Sequence, residues 1–550
     1  MEEIKKELLQ DNHKQDSIQL ENTCTFFVVP FYYDGETYIV NEWWEKEDKV
    51  LSDDGYNGEL LFPYIMDFLQ GNAALEQDKN KYTEEQFNRK EIEEKDSLQI
   101  YRLKQDDTER GLFWKIFSMS YHTLFIGNKG EKEINFRFFA KEWKRGKQIN
   151  VWDDFCLPHL LISPTGKLGI LVFHVSLEND KNSLIQLKLL NYNLHKLQGQ
   201  MAKCRCIDIG EVDGEKYRKY LQWHLEKHPI ESPKQTWKWN EDCGFTWNMK
   251  ALVDMFLKTD ITISLTWEKD VLPKRNYHLF SSERANLLTY GMISGNTIHQ
   301  ISVDDVIPEL SKLARCVDDK YLLPHSEPSV KKTHIKLFEN ILASTAIEGT
   351  AIITVPQTEK DSFIKGYHKN SIRKKYIWIY ILAMIQRFTL MNLNRQLTSF
   401  EARYGHLDKE DEEKYTKELW ELLKVVRDVK VRSYYTDVSS YSHFYEYYQL
   451  CCRNLHINET YQEIDSKTKI LNLTISHEQA EGEKRKIEKE DREHKWLEVF
   501  LAIFAILQGF QIVFEETKIE YKILAIIIAI LLGLLAPSII KKWTTYKSNK

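Results

Sequence analysis

Proline almost disappears from the second part of this chain. Eleven of its twelve prolines lie at or before Pro356, the last is Pro537, and the 180 residues between them hold only Gly366, Gly405, Gly482, Gly509 and Gly533. Proline costs about 3 kcal/mol inside a helix, so such an interval predicts long helices. A basic excess is missing as well. The net charge of -6 gives none of the electrostatic footprint that duplex nucleic acid requires, so no direct nucleic-acid partner is expected. Met1-Glu2-Glu3-Ile4-Lys5-Lys6-Glu7 has no apolar run, so no secretory signal is expected there. The eight cysteines include no CxxC pair, only Cys204-x-Cys206 and the adjacent Cys451-Cys452, a pattern of small buried thiols rather than disulfides or a zinc site. Walker A, GxGxxG and HExxH motifs are all absent. His122, His159, His174, His278 and His299 have no nucleophile or metal partner at diagnostic spacing. No active site follows from these residues, and the chain is not expected to be an enzyme.

Long apolar runs are present, at the far end. Trp496–Phe514 and Ile523–Ile540 are almost wholly apolar and are separated by the charged connector Glu515–Lys522. At 1.5 Å per residue each run makes a helix of about 27 Å, near the thickness of a hydrocarbon core. The pattern predicts two transmembrane helices, 496–514 and 523–540, joined as an antiparallel hairpin. Trp496, Tyr521, Trp543 and Tyr546 fall where interfacial rings belong. Lys484, Arg485, Lys486, Lys489, Arg492 and Lys495 precede the first run, and Lys541, Lys542, Lys547 and Lys550 follow the second. The positive-inside rule then places both termini in the cytoplasm and the protein in the inner membrane, with membrane lipid as a partner.

Residues 1–355 read as a cytoplasmic α+β body, in one unit or in two with a boundary near 210–240. Cys24–Val29, Leu168–Val175 and Ala351–Val355 have the β-branched and aromatic character of strands, whereas Glu215–His228 and Ser282–Leu288 suit helices. Residues 356–495 read as helical region and stalk, and 541–550 as a basic tail. The apolar stretch Tyr376–Ile385 is too short for a span and predicts a buried packing helix. A second helix is expected over Lys409–Val431, and one continuous helix from about Ser440 to Phe514. Glu481–Lys495, with Glu481/Arg485, Glu488/Arg492 and Asp491/Lys495 four residues apart, makes its middle a solvated stalk.

An α+β body, a stalk feeding the first of two C-terminal spans, a short outer loop and the ending Lys541-Lys542-Trp543 together resemble the CorA family of divalent-cation channels. That family carries Gly-Met-Asn at the outer end of its first span; here the position reads Gly509-Phe510-Gln511, followed by Glu515 and Glu516. The likeness covers residues 370–550 in architecture and only a handful of positions in motif. A larger body and a decayed motif resemble the CorA-like membrane effectors that accompany type III CRISPR systems. What the resemblance implies is a homo-oligomer, expected as a pentamer, and a nucleotide second messenger of the S-adenosylmethionine-AMP type; a divalent cation is the other ligand it raises.

In such an assembly Glu498, Leu501, Ala505, Gln508 and Ile512 share one face of the first span. Glu498, Gln508, Gly509, Phe510, Gln511, Glu515 and Glu516 are therefore the candidate pore residues. Two stretches have chemistry for a nucleotide. Arg137–Lys147 interleaves bases with aromatic rings and offers Arg137, Lys141 and Arg145. Ser281–Asn286 and Tyr290–Thr297 supply Arg284, Asn286 and Asn296 among hydroxyls and glycines. The leading expectation is a ligand-gated membrane effector or ion channel in antiviral defence, opened by the nucleotide. Its rivals are a magnesium or other divalent-cation transporter and a tail-anchored enzyme acting on a nucleotide.

Overall fold

β1 (Gln19–Tyr33) reads QLENTCTFFVVPFYY and is buried along most of its length. Such a strand needs a partner on each edge and a layer on each face, and it has all four. β7 (Leu168–Leu177) runs antiparallel along one edge with Phe27 opposite Phe173, their rings stacked 5.0 Å apart. β13 (Asn286–Ile293) and then β12 (Tyr277–Leu279) run along the other edge. Pro30 sits where β13 has ended and β12 has not begun, so its missing N–H leaves no ladder bond unmade. Gly169 lies opposite Phe31, where a Cβ would overlap the Phe31 ring.

The fold is that of a computed structural model describing residues 18–34, 38–40, 44–46, 98–103, 120–127, 130–137, 158–164, 166–177, 182–197, 203–206, 238–240, 244–257, 277–281, 283–294, 303–318, 333–357, 362–367, 375–404, 412–432 and 434–513, with single positions 61, 62, 65, 321, 523 and 527. The remaining strands are β2 (Trp44–Lys46), β3 (Gln99–Leu103), β4 (Ser120–Gly127), β5 (Gly130–Arg137), β6 (His159–Ser163), β8 (Asn182–Ser183), β9 (Lys203–Cys206), β10 (Lys238–Asn240), β11 (Gly244–Asn248), β14 (His334–Phe338), β15 (Ile341–Thr345) and β16 (Gly349–Thr354). They join one mixed sheet whose main path is β10-β11-β9-β4-β5-β7-β1-β13-β16-β15-β14. β13 and β16 pair in parallel; the other registers are antiparallel. Gly349 is required at that parallel pair because a Cβ there would collide with the Leu287 backbone.

Helices cover both faces. On one lie α1 (Leu184–Leu194), α2 (Met249–Leu257) and α3 (Val303–Ala314), which bury Leu187, Leu190, Leu252, Phe256, Val306 and Leu310 against Phe27, Val29 and Phe31 of β1. The alternate β1 residue Phe26 faces the other way, toward His174 and Tyr290. Behind it, following the short α4 (Ser362–Tyr367), lies α5 (Ile377–Tyr404). Asn392 on α5 donates to the Gly166 carbonyl at 2.9 Å, and the Arg395 guanidinium lies 3.9 Å from the Tyr32 ring centroid. Tyr376–Ile385 is buried throughout, as a packing helix should be. α6 (Glu412–Arg432) and α7 (Ser442–Asn454) complete this layer.

Residues Met1–Asp465 and Ser466–Lys550 are separate compact units. α8 (Ile457–Val513) begins in the first, where Asn394 donates to Glu463 at 3.0 Å, Lys430 pairs with Asp465 at 2.6 Å and Tyr461 stacks on Tyr434. The expected helix from Ser440 is broken ahead of α8, because His456 takes a φ of 55° and turns the chain. Of the helix expected over Ser282–Leu288, residues 283–288 are not helical either: the β-branched and aromatic continuation draws Asn286 onward into β13. Glu215–His228, and the expected boundary near 210–240, lie outside the described residues apart from β10.

The expected fold class, an α+β body leading through a stalk to a CorA-like two-helix transmembrane hairpin, is overturned. Among the described residues the body is one large mixed sheet, there are eight helices, and no helix is long and apolar enough to cross a membrane. No C-terminal hairpin is seen among the described residues. The apolar run from Trp496 is the end of a helix whose preceding turns are densely charged, and Glu498, Gln508 and Gln511 interrupt it.

Candidate functional site

α1 and α3 end at the same place. α1 starts on a capping box, with the Ser183 hydroxyl accepting from the Gln186 amide and the Gln186 side chain accepting from the Ser183 amide. It ends at His195, whose Nδ1 lies 3.0 Å from the Asn191 carbonyl. α3 ends through Cys316, which adopts a φ of 53° and donates its amide to Leu313. Buried charge locks the two helices together: Glu309 of α3 accepts from Lys188 of α1 and, at 3.1 Å, from Lys312. A second buried link joins α1 to the sheet, as Asn191 bonds to both Thr25 and Thr289.

Two helix C-termini carry partial negative charge and favour cations nearby. Lys196 and Arg284 are there. Their backbones form a β-bridge, with Ala285 donating to the His195 carbonyl and Leu197 to that of Glu283. The Lys196 ammonium sits 3.5 Å from the centroid of the Tyr192 ring, and the Tyr321 ring is 6.5 Å from the same ring. Burial lowers the Lys196 pKa and Arg284 lowers it further, against the Tyr321 hydroxyl and the Asp318 carboxylate, which raise it. Burial pushes the His195 pKa down to about 4, with Lys196 and Arg284 adding to the effect and the Asn191 carbonyl opposing it. His195 is therefore neutral, and the charge of this rim belongs to Lys196, Arg284 and Asp318.

Of the six residues expected to hold a ligand, Arg284 and Asn286 come together here. The Arg284 amide donates to the Ser281 hydroxyl at 3.0 Å and leaves the guanidinium exposed; Asn286 donates to the Ile347 carbonyl at 2.8 Å, tying down the β15–β16 turn. Arg137 ends β5 opposite Ser176, with its side chain outside the described residues, as are Lys141, Arg145 and Asn296 altogether. Glu498 and Gln508 are exposed on α8; Gly509, Phe510 and Gln511 continue that helix without described side chains, and Glu515 and Glu516 lie outside the described residues. Lys196, Tyr192, Tyr321 and Asp318 were not singled out from the sequence. Tyr192 and Lys196 are four apart across the end of α1, but nothing local places Arg284 beside them.

A different pair lies on the sheet's edge. His278 Nε2 is 2.7 Å from Asp34 Oδ2, both exposed, and the His278 ring stacks on Tyr32 at 4.9 Å. Among the described residues no group of three or more His, Cys, Asp or Glu is placed to hold a metal ion. No protein-family model, no curated protein and no solved structure matches this chain.

Proposed function

We propose that this chain is a ligand-responsive effector without catalytic turnover, whose sheet body binds a nucleotide second messenger at the Lys196–Arg284 rim and whose α8 helix acts at a membrane surface. The observation that carries this reading is convergence. Tyr192 and Lys196, Arg284, and Asp318 and Tyr321 come from three distant stretches of chain and meet at the ends of α1 and α3. Two cations beside two phenol rings suit a ligand with both a phosphate and a planar base. S-adenosylmethionine joined to AMP has that chemistry, and antiviral defence is the setting we propose for it. The membrane part of the proposal is supported by Trp496, Leu497, Phe500, Leu501 and Phe504, large apolar side chains left exposed near the end of α8.

Calorimetry on the full chain tests the first part, using S-adenosylmethionyl-AMP and cyclic oligoadenylates. Binding heat is expected from one of them, weakened about tenfold or more in Arg284→Gln and Lys196→Gln, as loss of a charged hydrogen bond implies. The nucleotide should be recovered unchanged. Heat from neither, with the protein folded, rejects the messenger. Flotation with anionic liposomes tests the membrane part, and Phe500→Asp with Phe504→Asp should abolish it. The exposed His278–Asp34 pair favours a second reading, a nucleotide-processing enzyme, because a carboxylate orienting an imidazole is general-base geometry. Consumption of the nucleotide, lost in His278→Asn, selects that reading.

A further inference from the structure

Five aromatic rings meet in an unbroken line on the body. Phe363 of α4 stacks on Tyr367 at 6.2 Å, and Tyr367 meets Phe338 of β14 edge-on at 5.7 Å. Phe338 lies 5.0 Å from His443 of α7, and His443 lies 6.0 Å from Tyr441 just ahead of that helix. Every spacing is one of direct ring contact. β14 ends the sheet path among the described residues, so Phe338 stands on the sheet's edge. The line is held from below. The Tyr367 hydroxyl lies 3.3 Å from that of the buried Tyr376, and His443 rests on the buried Phe444 at 4.1 Å. Its outer rings stay in water: Phe363 is 74% exposed, Tyr441 42% and Phe338 41%, whereas the aliphatic neighbours Ile364 and Leu337 are buried.

Exposed rings joined over such a line mark a binding surface, and the charge around them says for what. In sequence, the three stretches that supply the rings, 331–338, 362–376 and 440–445, hold eight Lys or Arg and no Asp or Glu, in a chain whose net charge is -6. Lys336 and Lys365, each two residues from an exposed phenylalanine, are themselves exposed. We infer that this line of rings binds single-stranded nucleic acid, its bases stacking on Phe363, Phe338 and Tyr441 and its phosphates pairing with Lys336 and Lys365. Rings accept every base, since each has a flat π face, and lysines supply point charges for the backbone. A duplex hides its bases from the rings and gains only the charge attraction. The negative charge of the whole chain argues against a duplex footprint and does not bear on so local an excess of bases. A bilayer is the poorer match, because interfacial insertion uses exposed aliphatic side chains beside the rings, and Ile364 and Leu337 are withdrawn. The surface shares no residue with the rim of Lys196 and Arg284, so the inference does not depend on the messenger.

Fluorescence anisotropy of the full chain, with a short labelled oligouridine and with a duplex of the same length, tests it. Saturable binding of the single strand is expected, weakened about tenfold or more in Phe363→Ala with Phe338→Ala, the loss of one or two base stacks. Both side chains are exposed, so folding should survive. Phe363→Leu should lose as much as Phe363→Ala, and Phe363→Trp should bind at least as well as wild type, because a flat ring rather than apolar area is what the base meets. Lys336→Gln with Lys365→Gln should lower the slope of log affinity against log salt by about 1.4, the share of two phosphate contacts on a single strand. Arg284→Gln should leave this binding unchanged. No binding of the single strand, equal binding of the duplex, wild-type binding by the ring variants, or a loss that follows Arg284→Gln instead would overturn the proposal. So would flotation with anionic liposomes that persists in Phe500→Asp with Phe504→Asp and disappears on adding Phe363→Ala, which would assign the rings to a bilayer.

Discussion

Glu309 accepts from Lys188 and Lys312 inside the body, where the side-chain exposures are 1%, 1% and 7%; Asp491 accepts from Lys495 at 3.0 Å on α8, where both are about two-thirds exposed. The chemistry is the same and the energetics are opposite. In water the second pair gains little, because solvent screens it and two long side chains must be held still. Inside the body the first cluster has lost its hydration, and each partner is indispensable to the others. The same contrast runs through both regions. β6 and β7 are buried on both faces, so their sequence is mostly apolar on both sides of the pleat, with His159, Ser163, His174 and Ser176 as the polar exceptions. From Glu483 to Glu498 every side chain of α8 is exposed, and the helix there is held by its own backbone and its i, i+4 pairs.

The largest effect should come from breaking the buried cluster. Glu309→Leu leaves two lysines without their anion and should cost about 3–5 kcal/mol, read from urea unfolding. Replacing the whole cluster, Lys188→Met with Glu309→Leu and Lys312→Met, should recover most of that loss. A single substitution costing under about 1 kcal/mol would mean that the lysines remain hydrated, and the contrast with α8 would fail.

His195 sharpens the comparison by pH. The folded chain keeps it neutral down to about pH 4, whereas the unfolded chain protonates a histidine near 6.5. Between those values the unfolded state binds more protons, so stability falls as pH drops through the window and is fully present above about 6.5. The contribution is about 3 kcal/mol at most. His195→Gln should flatten the difference between stabilities measured at pH 7 and pH 4.5; an unchanged slope would place the titration elsewhere. The smallest effect belongs to α8. Asp491→Asn should change stability by no more than about 0.5 kcal/mol at physiological salt and by less in high salt, measured by the helical signal on heating. A larger loss would show that this pair is shielded by something packed on α8.

Local signals that depend on one segment were legible. Cys24–Val29, Leu168–Val175 and Ala351–Val355 lie in strands, wholly or but for the last residue, and Tyr376–Ile385 is a buried helix, as their residue types required. Lys409–Val431 matches α6 to within a few residues. Missed features depend on what another segment does. The break ahead of α8 rests on one left-handed residue, His456, in a stretch with neither proline nor glycine to mark it. Arg284 was visible as a cation among small polar residues, but its neighbours Lys196, Tyr192 and Tyr321 stand 88, 92 and 37 positions away along the chain.

The sequence by itself determined which stretches must leave water and with what period. Its strands alternate or run apolar, residues 357–536 hold no proline, and α8 is charged through its middle; each follows from hydrophobicity, propensity and charge acting within a few residues. Tertiary structure alone decided the parallel pairing of β13 with β16, the meeting of the ends of α1 and α3, and which polar groups those contacts strand in the interior. Arg387 and Tyr380 look in sequence like any arginine and tyrosine on a helix. The Tyr380 hydroxyl and two nitrogens of Arg387 end without hydrogen bonds only because tertiary contacts shut water out from around them.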